Sequence, residues 1–443
     1  MQQLAQTRAM SPFTIRSAGY TLAALFVLNM MNYVDRLLFG VTQELIRADL
    51  GLSDFQLGLL GGPAFALLYV LFSFPIARVA ERGNRVSIIS IAFAAWSALT
   101  ACCGLAASFV QLLLARAGVS VGEAGCAPPS HSLISDYFPP ERRTSAMSVY
   151  GAAGPVGALV AAVGGGWIAQ HFGWRVTFLA CGGFGVAAAI LFRLTMREPA
   201  RQAVAHQPSM AGALGMLLGK RSFVLVAAAG AVAGFASYSN HQYMVSFLMR
   251  AHGLSVGTAG TVLGLVIGGV GILVTLAAGP IIDGNRVRFP GIRTWLPAVG
   301  LLWSGLFFAT AFTIRDTALS IGLLVTASIG QHFYMPSMYT VAQDVAPPAV
   351  RATAAALLIA IISVVGYGLG PPLVGLASDV LGGLAMTAHG TSAAACKVAA
   401  SAACEAAKSD GLRLSLSIGS IGFVIAGILF ALAGRTIDRD VHR

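Results

Sequence analysis

Charged residues are scarce in this 443-residue chain, at 10%, against about 25% in an ordinary soluble protein. With 56% hydrophobic residues and a mean hydropathy of +0.77, that shortage excludes a soluble globular domain. Acidic residues are the rarer sign, 17 against 28 Lys and Arg. Cysteine is limited to six residues, and no His/Cys cluster has the spacing of zinc ligands, so no metal site is expected. No small-residue cleavage site follows the first apolar run, which is itself a full span, so no cleavable signal peptide is expected.

What the chain has instead is long apolar runs. A helix needs about 20 apolar residues to cross a bilayer, and twelve candidate spans are read near 18–43, 54–78, 86–107, 109–136, 144–169, 174–194, 221–249, 256–282, 293–314, 317–343, 351–380 and 412–434. The expected fold class is an all-α polytopic membrane protein whose twelve transmembrane helices form two pseudo-symmetric six-helix bundles. The expected domains are 1–195 for the first bundle, 196–219 for a cytoplasmic connector, and 220–443 for the second bundle, with an outer loop at 381–410. A net charge of +11 raises the question of nucleic acid. Its placement points to orientation instead: with the amino terminus inside, 19 of the 28 basic residues fall on the inner side, which puts both termini in the cytoplasm. A multi-pass, monomeric protein of a bacterial inner membrane is expected, with membrane lipids as neighbours and no nucleic-acid partner.

The fourth span, FVQLLLARAGVSVGEAGCAPPSHSLI, carries Arg116 and Glu123 where charge is costly. Seven helical residues rise roughly 10.5 Å and turn nearly twice, so both side chains leave one face at different depths. Gly118 and Gly122 allow a neighbouring helix to come close. The first span ends in NYVDR, with Asp35 and the substrate-binding candidates Tyr33 and Arg36 in its outer half. Counting about 1.5 Å per residue puts Asp35 and Arg116 at similar depth, roughly 9–10 Å below the outer boundary, so a side-chain pair between them is expected, with Glu123 deeper in the same cavity. The plainer alternative is an arginine that snorkels to an interface and helix-end charges that steady a loop.

An internal repeat supports the two-bundle reading. Gly51-Leu52-Ser53 recurs as Gly253-Leu254-Ser255, with Gly58, Gly62 and Glu81 matched by Gly260, Gly264 and Asp283. Further on, Pro128, Asp136, Pro139, Pro140 and Arg143 match Pro336, Asp344, Pro347, Pro348 and Arg351. Parallel halves with a ligand between them near the midplane are a known transporter architecture. The inner loops ARVAERGNR and GPIIDGNRVR place Glu81, Arg82 and Arg85 opposite Asp283, Arg286 and Arg288, and these acids are candidates for latching the inner side shut. Asp136, Arg143, Asp344 and Arg351 are gating candidates for the same reason. Gly154-Pro155 and Gly370-Pro371 mark spans five and eleven as closely packed and able to bend.

In the second half, SYSNHQY offers Asn240, Gln242 and Tyr243, and GQHFYMP offers His332 and Tyr334, as a polar wall facing the ionisable cluster. Hydrogen bonding to a neighbouring helix is the competing role for each. Cys396 and Cys404 lie in the outer loop: an oxidising side favours a disulfide, whereas a continuous helix would hold them about 12 Å apart, too far to bond.

With these residues in view, the chain resembles the major facilitator superfamily over essentially its whole length. The loop between spans two and three is similar to that superfamily's motif A, with Ala77 where glycine is usual and Glu81 where aspartate is usual. ARAGVSVGEAGCAPP resembles its span-four motif B through Arg116. Gly154-Pro155 resembles its antiporter motif C, with Ala158 replacing a glycine. NYVDR, the Arg116–Glu123 spacing and DYFPPERR are similar to the Spinster family, which implies carriage of a sphingolipid-like or lysolipid-like anion, with Asp35 and Glu123 as proton-coupling residues and Arg116 as substrate-binding.

The expected function is secondary active transport by alternating access, coupled to protons and needing no other cofactor. Burial favours the neutral form of Glu123 and Arg116 favours the charged form, so a proton and an anionic headgroup are expected to compete for Arg116. A lipid tail would need a lateral portal by spans five and eight. The alternative is a carrier of a small hydrophilic organic anion or drug. An enzyme is not expected, since His131 between Ser130 and Ser132 is the only tempting group and adjacent helical residues do not face one another.

Overall fold

A computed structural model describes residues 12–199, 210–285, 288–289, 291–347, 350–398 and 401–440, and no strand occurs among them. Ten helical stretches are long and apolar enough to cross a membrane. Two features bring the number of spans to twelve. Ala146–Thr195 is two spans joined at Gly173, whose φ of 81° turns the chain. The fourth segment, Phe109–Glu123 followed by Ala127–Tyr137, is interrupted and carries ionisable groups.

The first bundle is built by packing span one, Pro12–Leu50, against span five, and span three, Arg85–Cys103, against spans four and six. In the second bundle span seven, Arg221–His252, lies on spans eleven and twelve, and span nine, Ile292–Thr313, on spans ten and twelve. The repeated Gly-Leu-Ser has a local cause: Gly51 and Gly253 both sit at φ 65°, the left-handed position at which a helix ends readily in glycine, and Ser53 and Ser255 cap the next helices. The later repeat carries an ion pair in each half. Arg85 meets Asp136 at 2.5 Å, and 208 residues on Arg293 meets Asp344 at 2.5 Å.

The seams between the bundles are glycine-lined. A side chain at Gly58 would run into the backbone of Pro371 and Pro372, and one at Gly62 into the carbonyl of Tyr367. On the opposite seam Gly260 lies against Ala162 and Gly268 against Pro155 and Leu159. Spans five, eight and eleven each contain a π-helical turn, at Ala161–Gly165, Leu265–Gly269 and Ile362–Leu369, where the backbone departs from the straight α ladder.

The outer loop decides between the two readings of its cysteines. Helices Ala393–Val398 and Ala402–Gly419 are separate, so the geometry of a single continuous helix does not apply, and Cys396 and Cys404 are disulfide-bonded with Cα atoms 5.7 Å apart. Residues 200–209 of the middle connector lie outside the described residues, and Met210–Leu218 forms a short helix before span seven.

Candidate functional site

Span one presents two consecutive ionisable residues, and successive helical residues point about 100° apart. That rotation sends them to different partners. Arg36 Nε donates to Glu123 Oε2 at 2.8 Å, and the arginine side chain is 24% accessible while the glutamate is fully enclosed. Asp35 turns into the first bundle, where its carboxylate accepts from the thiol of Cys181 on span six at 3.3 Å. The expected side-chain pair between Asp35 and Arg116 is not formed. Arg116 Nη1 instead donates to the backbone carbonyl of Asp35 at 3.3 Å. Equal depth was read correctly from helix rise, but depth does not fix which way a side chain faces around the axis.

Arg116 is completely buried, its guanidinium lying 5.4 Å from the Phe39 ring and 5.8 Å from the Phe65 ring. Among the described residues its Nε and Nη2 have no hydrogen-bond partner, nor does Glu123 Oε1. Arg36 is the cation that can be reached. It is ringed by Tyr33, Phe65 and Tyr69 at 5.7, 4.8 and 4.9 Å, within the range of cation–π attraction. The site therefore contains two carboxylates and two guanidiniums: one mixed pair at the centre, and one carboxylate and one arginine set behind it.

The polar residues expected on the facing wall are divided between several places. Gln242 Nε2 donates to Gln43 Oε1 and the Gln242 carbonyl accepts from Gln43 Nε2, both at 2.7 Å. Tyr243 donates to the carbonyls of Asp54 and Pro371. These two residues therefore join the bundles near the outer end instead of facing the central cluster. Asn240 is buried against Ser420 of span twelve, and His332 Nδ1 meets the Ser328 carbonyl at 2.6 Å. Tyr334 is buried within the second bundle.

A second charge cluster, missed in the sequence, closes the outer end. Arg250 of span seven binds Glu44 of span one and both oxygens of Asp54 of span two. Ser378 donates to Asp54, and the carboxylate of Asp379 accepts from the backbone N–H groups of Asp54 and Phe55, capping span two from span eleven. Arg47 links Glu44 to Glu405 of the disulfide-bonded loop. The available signal was the acidic residues at the outer ends of spans one, two and eleven. On the other seam Gln170 accepts from Ser255 and Gly257. The hydrogen bonds and ion pairs described between the bundles all lie in this outer half.

Of the inner gating candidates, the side chains of Glu81, Arg82, Arg143 and Asp283 and the whole of Arg286 lie outside the described residues. Arg85 is held within its own bundle by Asp136, Ser132 and Glu198, the last also capping span three. Arg293 and Asp344 repeat the first of these contacts, and Arg351 donates to the Gln343 carbonyl. Arg293 could have been found by adding the repeat offset to Arg85. His131 packs edge-on to Tyr150, while Ser132 is bound to Arg85. Among the described residues no group of His, Cys, Asp and Glu is placed to hold a metal ion.

Two bundles meeting around a buried charge cluster, sealed at one end, have the form of a transporter, and residues 25–371 match the Major Facilitator Superfamily. The chain belongs to that superfamily. It is 34% identical to an MFS-type efflux pump of Mycolicibacterium smegmatis, over 83% of this chain and 86% of that one. It is 27% identical to the hexuronate transporter of Bacillus subtilis over 42% and 44%. Its fold matches the crystal structure of a bacterial homologue of the human lysosomal transporter Spinster, inward-facing and unoccupied, with TM-score 0.88, 32% identity and coverage of 98% and 99%. This superfamily member is thus a Spinster-type, multi-pass inner-membrane transporter, and not an enzyme.

Proposed function

We propose that this transporter carries an amphiphilic organic anion, coupled to protons, by exchanging the partner of Arg36. The observation that carries the reading is the ion pair between an accessible arginine and a wholly enclosed glutamate at the meeting of the two bundles. Proton uptake by Glu123 cancels its charge and leaves Arg36 without a counter-ion in a poorly solvated place, where an anionic group is the natural replacement. Loss of the proton returns Glu123 to Arg36 and expels the anion. Asp35 is the second proton-coupling residue, acting on the buried Arg116 through span one. Of the two arginines expected to bind the ligand, Arg36 takes the role, because Arg116 is closed off by Phe39 and Phe65.

Glu123 and the anion compete for one arginine, so the proton and the anion bind together and the exchange itself favours symport, whereas the likeness to an efflux pump and the Gly154-Pro155 motif favour antiport. Both sphingolipid-like and lysolipid-like anions fall within this substrate class. A carrier of a small hydrophilic organic anion is the second reading, favoured by the likeness to a hexuronate transporter.

Counterflow in proteoliposomes across a pH series tests the coupling. Glu123→Gln is expected to leave exchange of a bound anion intact and to flatten its pH dependence. An unchanged pH profile removes Glu123 from the coupling role, and transport that survives Arg36→Ala removes the arginine.

A further inference from the structure

The aromatic residues around Arg36 form a continuous row through both bundles. Phe65 and Tyr69 of span two lie 5.8 Å apart with planes inclined by 17°. Tyr367 of span eleven meets Phe65 edge-on at 5.5 Å and 73°. Tyr238 of span seven in turn meets Tyr367 at 4.9 Å and 87°. Tyr33 completes the group on the first bundle, with Arg36 between it and Phe65. Glycines make the room. A side chain at Gly154 would press on the Tyr33 ring, and one at Gly366 on the Tyr238 ring. Phe65 is closed off, whereas Tyr33 is 38% accessible and Tyr69, Tyr238 and Tyr367 are half-buried.

We infer that the substrate's apolar part is a compact planar aromatic body, held by Tyr33, Tyr69, Tyr238 and Tyr367 while its acidic group binds Arg36. An anion that reaches the open edge of Arg36 must lie against the rings that surround it. Faces and edges are offered at nearly right angles, an arrangement that favours a flat π-system over an alkyl chain because ring faces are negative and ring edges positive. With Gly62 against Tyr367 and Gly268 against Pro155 and Leu159, the two bundles are in close contact at both of these points. The ligand class is therefore an aromatic or polycyclic carboxylate, sulfonate or phosphate. This inference rests on the reading of Arg36 and Glu123 given above, and it makes the four tyrosines specificity-determining.

The test measures binding to the purified full-length protein, and counterflow in proteoliposomes, for three probes: 2-naphthoate, oleoyl lysophosphatidate and glucuronate. Naphthoate is expected to bind best. Tyr367→Leu and Tyr69→Leu are expected to weaken it roughly tenfold, about the value of one well-placed ring contact, with little change after Tyr→Phe. Thermal unfolding of each variant separates loss of a contact from loss of the fold. If lysophosphatidate or glucuronate binds best and depends on Arg36, or if naphthoate binding ignores the leucine variants, the aromatic class is overturned while the exchange pair stands. If no probe's binding responds to Arg36→Ala or Glu123→Gln in folded protein, the exchange pair falls, and this inference with it.

Discussion

Arg36 and Arg116 differ in what the protein lets them touch, and that difference predicts separable phenotypes. Arg116 is fixed by one backbone carbonyl and two ring faces and reaches no solvent. Lysine at this position cannot spread a planar cation over both rings. Arg116→Lys is therefore expected to lower stability by ~1–2 kcal/mol, seen as a lower melting temperature, with ligand affinity changed little. Arg36→Lys should do the reverse, holding the fold while weakening anion binding. Equal losses of stability and affinity in both variants would refute the division. At this scale the buried ionisable residues were legible and their pairing was not. Asp35, Glu123 and Arg116 stand out because ionisable groups inside apolar runs are costly. Arg36 shares a dipeptide with Asp35, and only the rotation of the helix decides which of the two meets Glu123. Gln242 and Tyr243 were read by their polarity, which signals a buried hydrogen bond as readily as a ligand contact.

Among the elements, the repeated glycines set how closely the bundles approach. Gly58 faces Pro371 and Pro372 with no room for a β-carbon, and Gly260 faces the Ala162 carbonyl in the same way. These residues are 202 positions apart in sequence and lie on the two different seams, so their match in the repeat reflects one structural demand met twice. Leucine at either position is expected to push its seam apart and populate states open to the outside. Ser246, wholly buried and bonded to Gln43 across the bundles, reports this: a cysteine placed there should react faster with a membrane-impermeant maleimide in the Gly58→Leu and Gly260→Leu proteins. Unchanged labelling would mean that the seams are not what holds the outer end closed. The repeat was the most legible feature of the chain, because it is written in backbone requirements, such as the left-handed glycines and helix caps, that few residues satisfy. The outer charge cluster was hidden because its members come from spans one, two, seven and eleven, and no local spacing joins them.

For the whole molecule, span one connects the central pair to the outer closure. Arg36, Gln43, Glu44 and Arg47 lie on one unbroken helix, so Glu44 stands roughly 12 Å above Arg36 by helix rise. A tilt of this rod that separates Arg36 from Glu123 also pulls Glu44 from Arg250 and Gln43 from Gln242. The strongest part of the closure is Arg250, whose side chain is 4% accessible and lies between Glu44 and Asp54 at 9% and 5%. Removing the arginine leaves Asp54 enclosed without its counter-charge beside Glu44, which keeps only Arg47, a cost of about 3–5 kcal/mol when one partner of a buried pair is lost. The closed form pays that cost and the open form, with both acids in water, does not. Arg250→Met is therefore expected to shift the protein outward-open and to raise maleimide labelling of a cysteine at position 246. Adding Glu44→Gln and Asp54→Asn removes the repulsion and should return much of the protection. If Arg250→Met leaves labelling unchanged, the cluster does not hold the outer end. If the triple variant labels as fast as Arg250→Met, the closure depends on the arginine's shape and hydrogen bonds, and charge balance is not its cause.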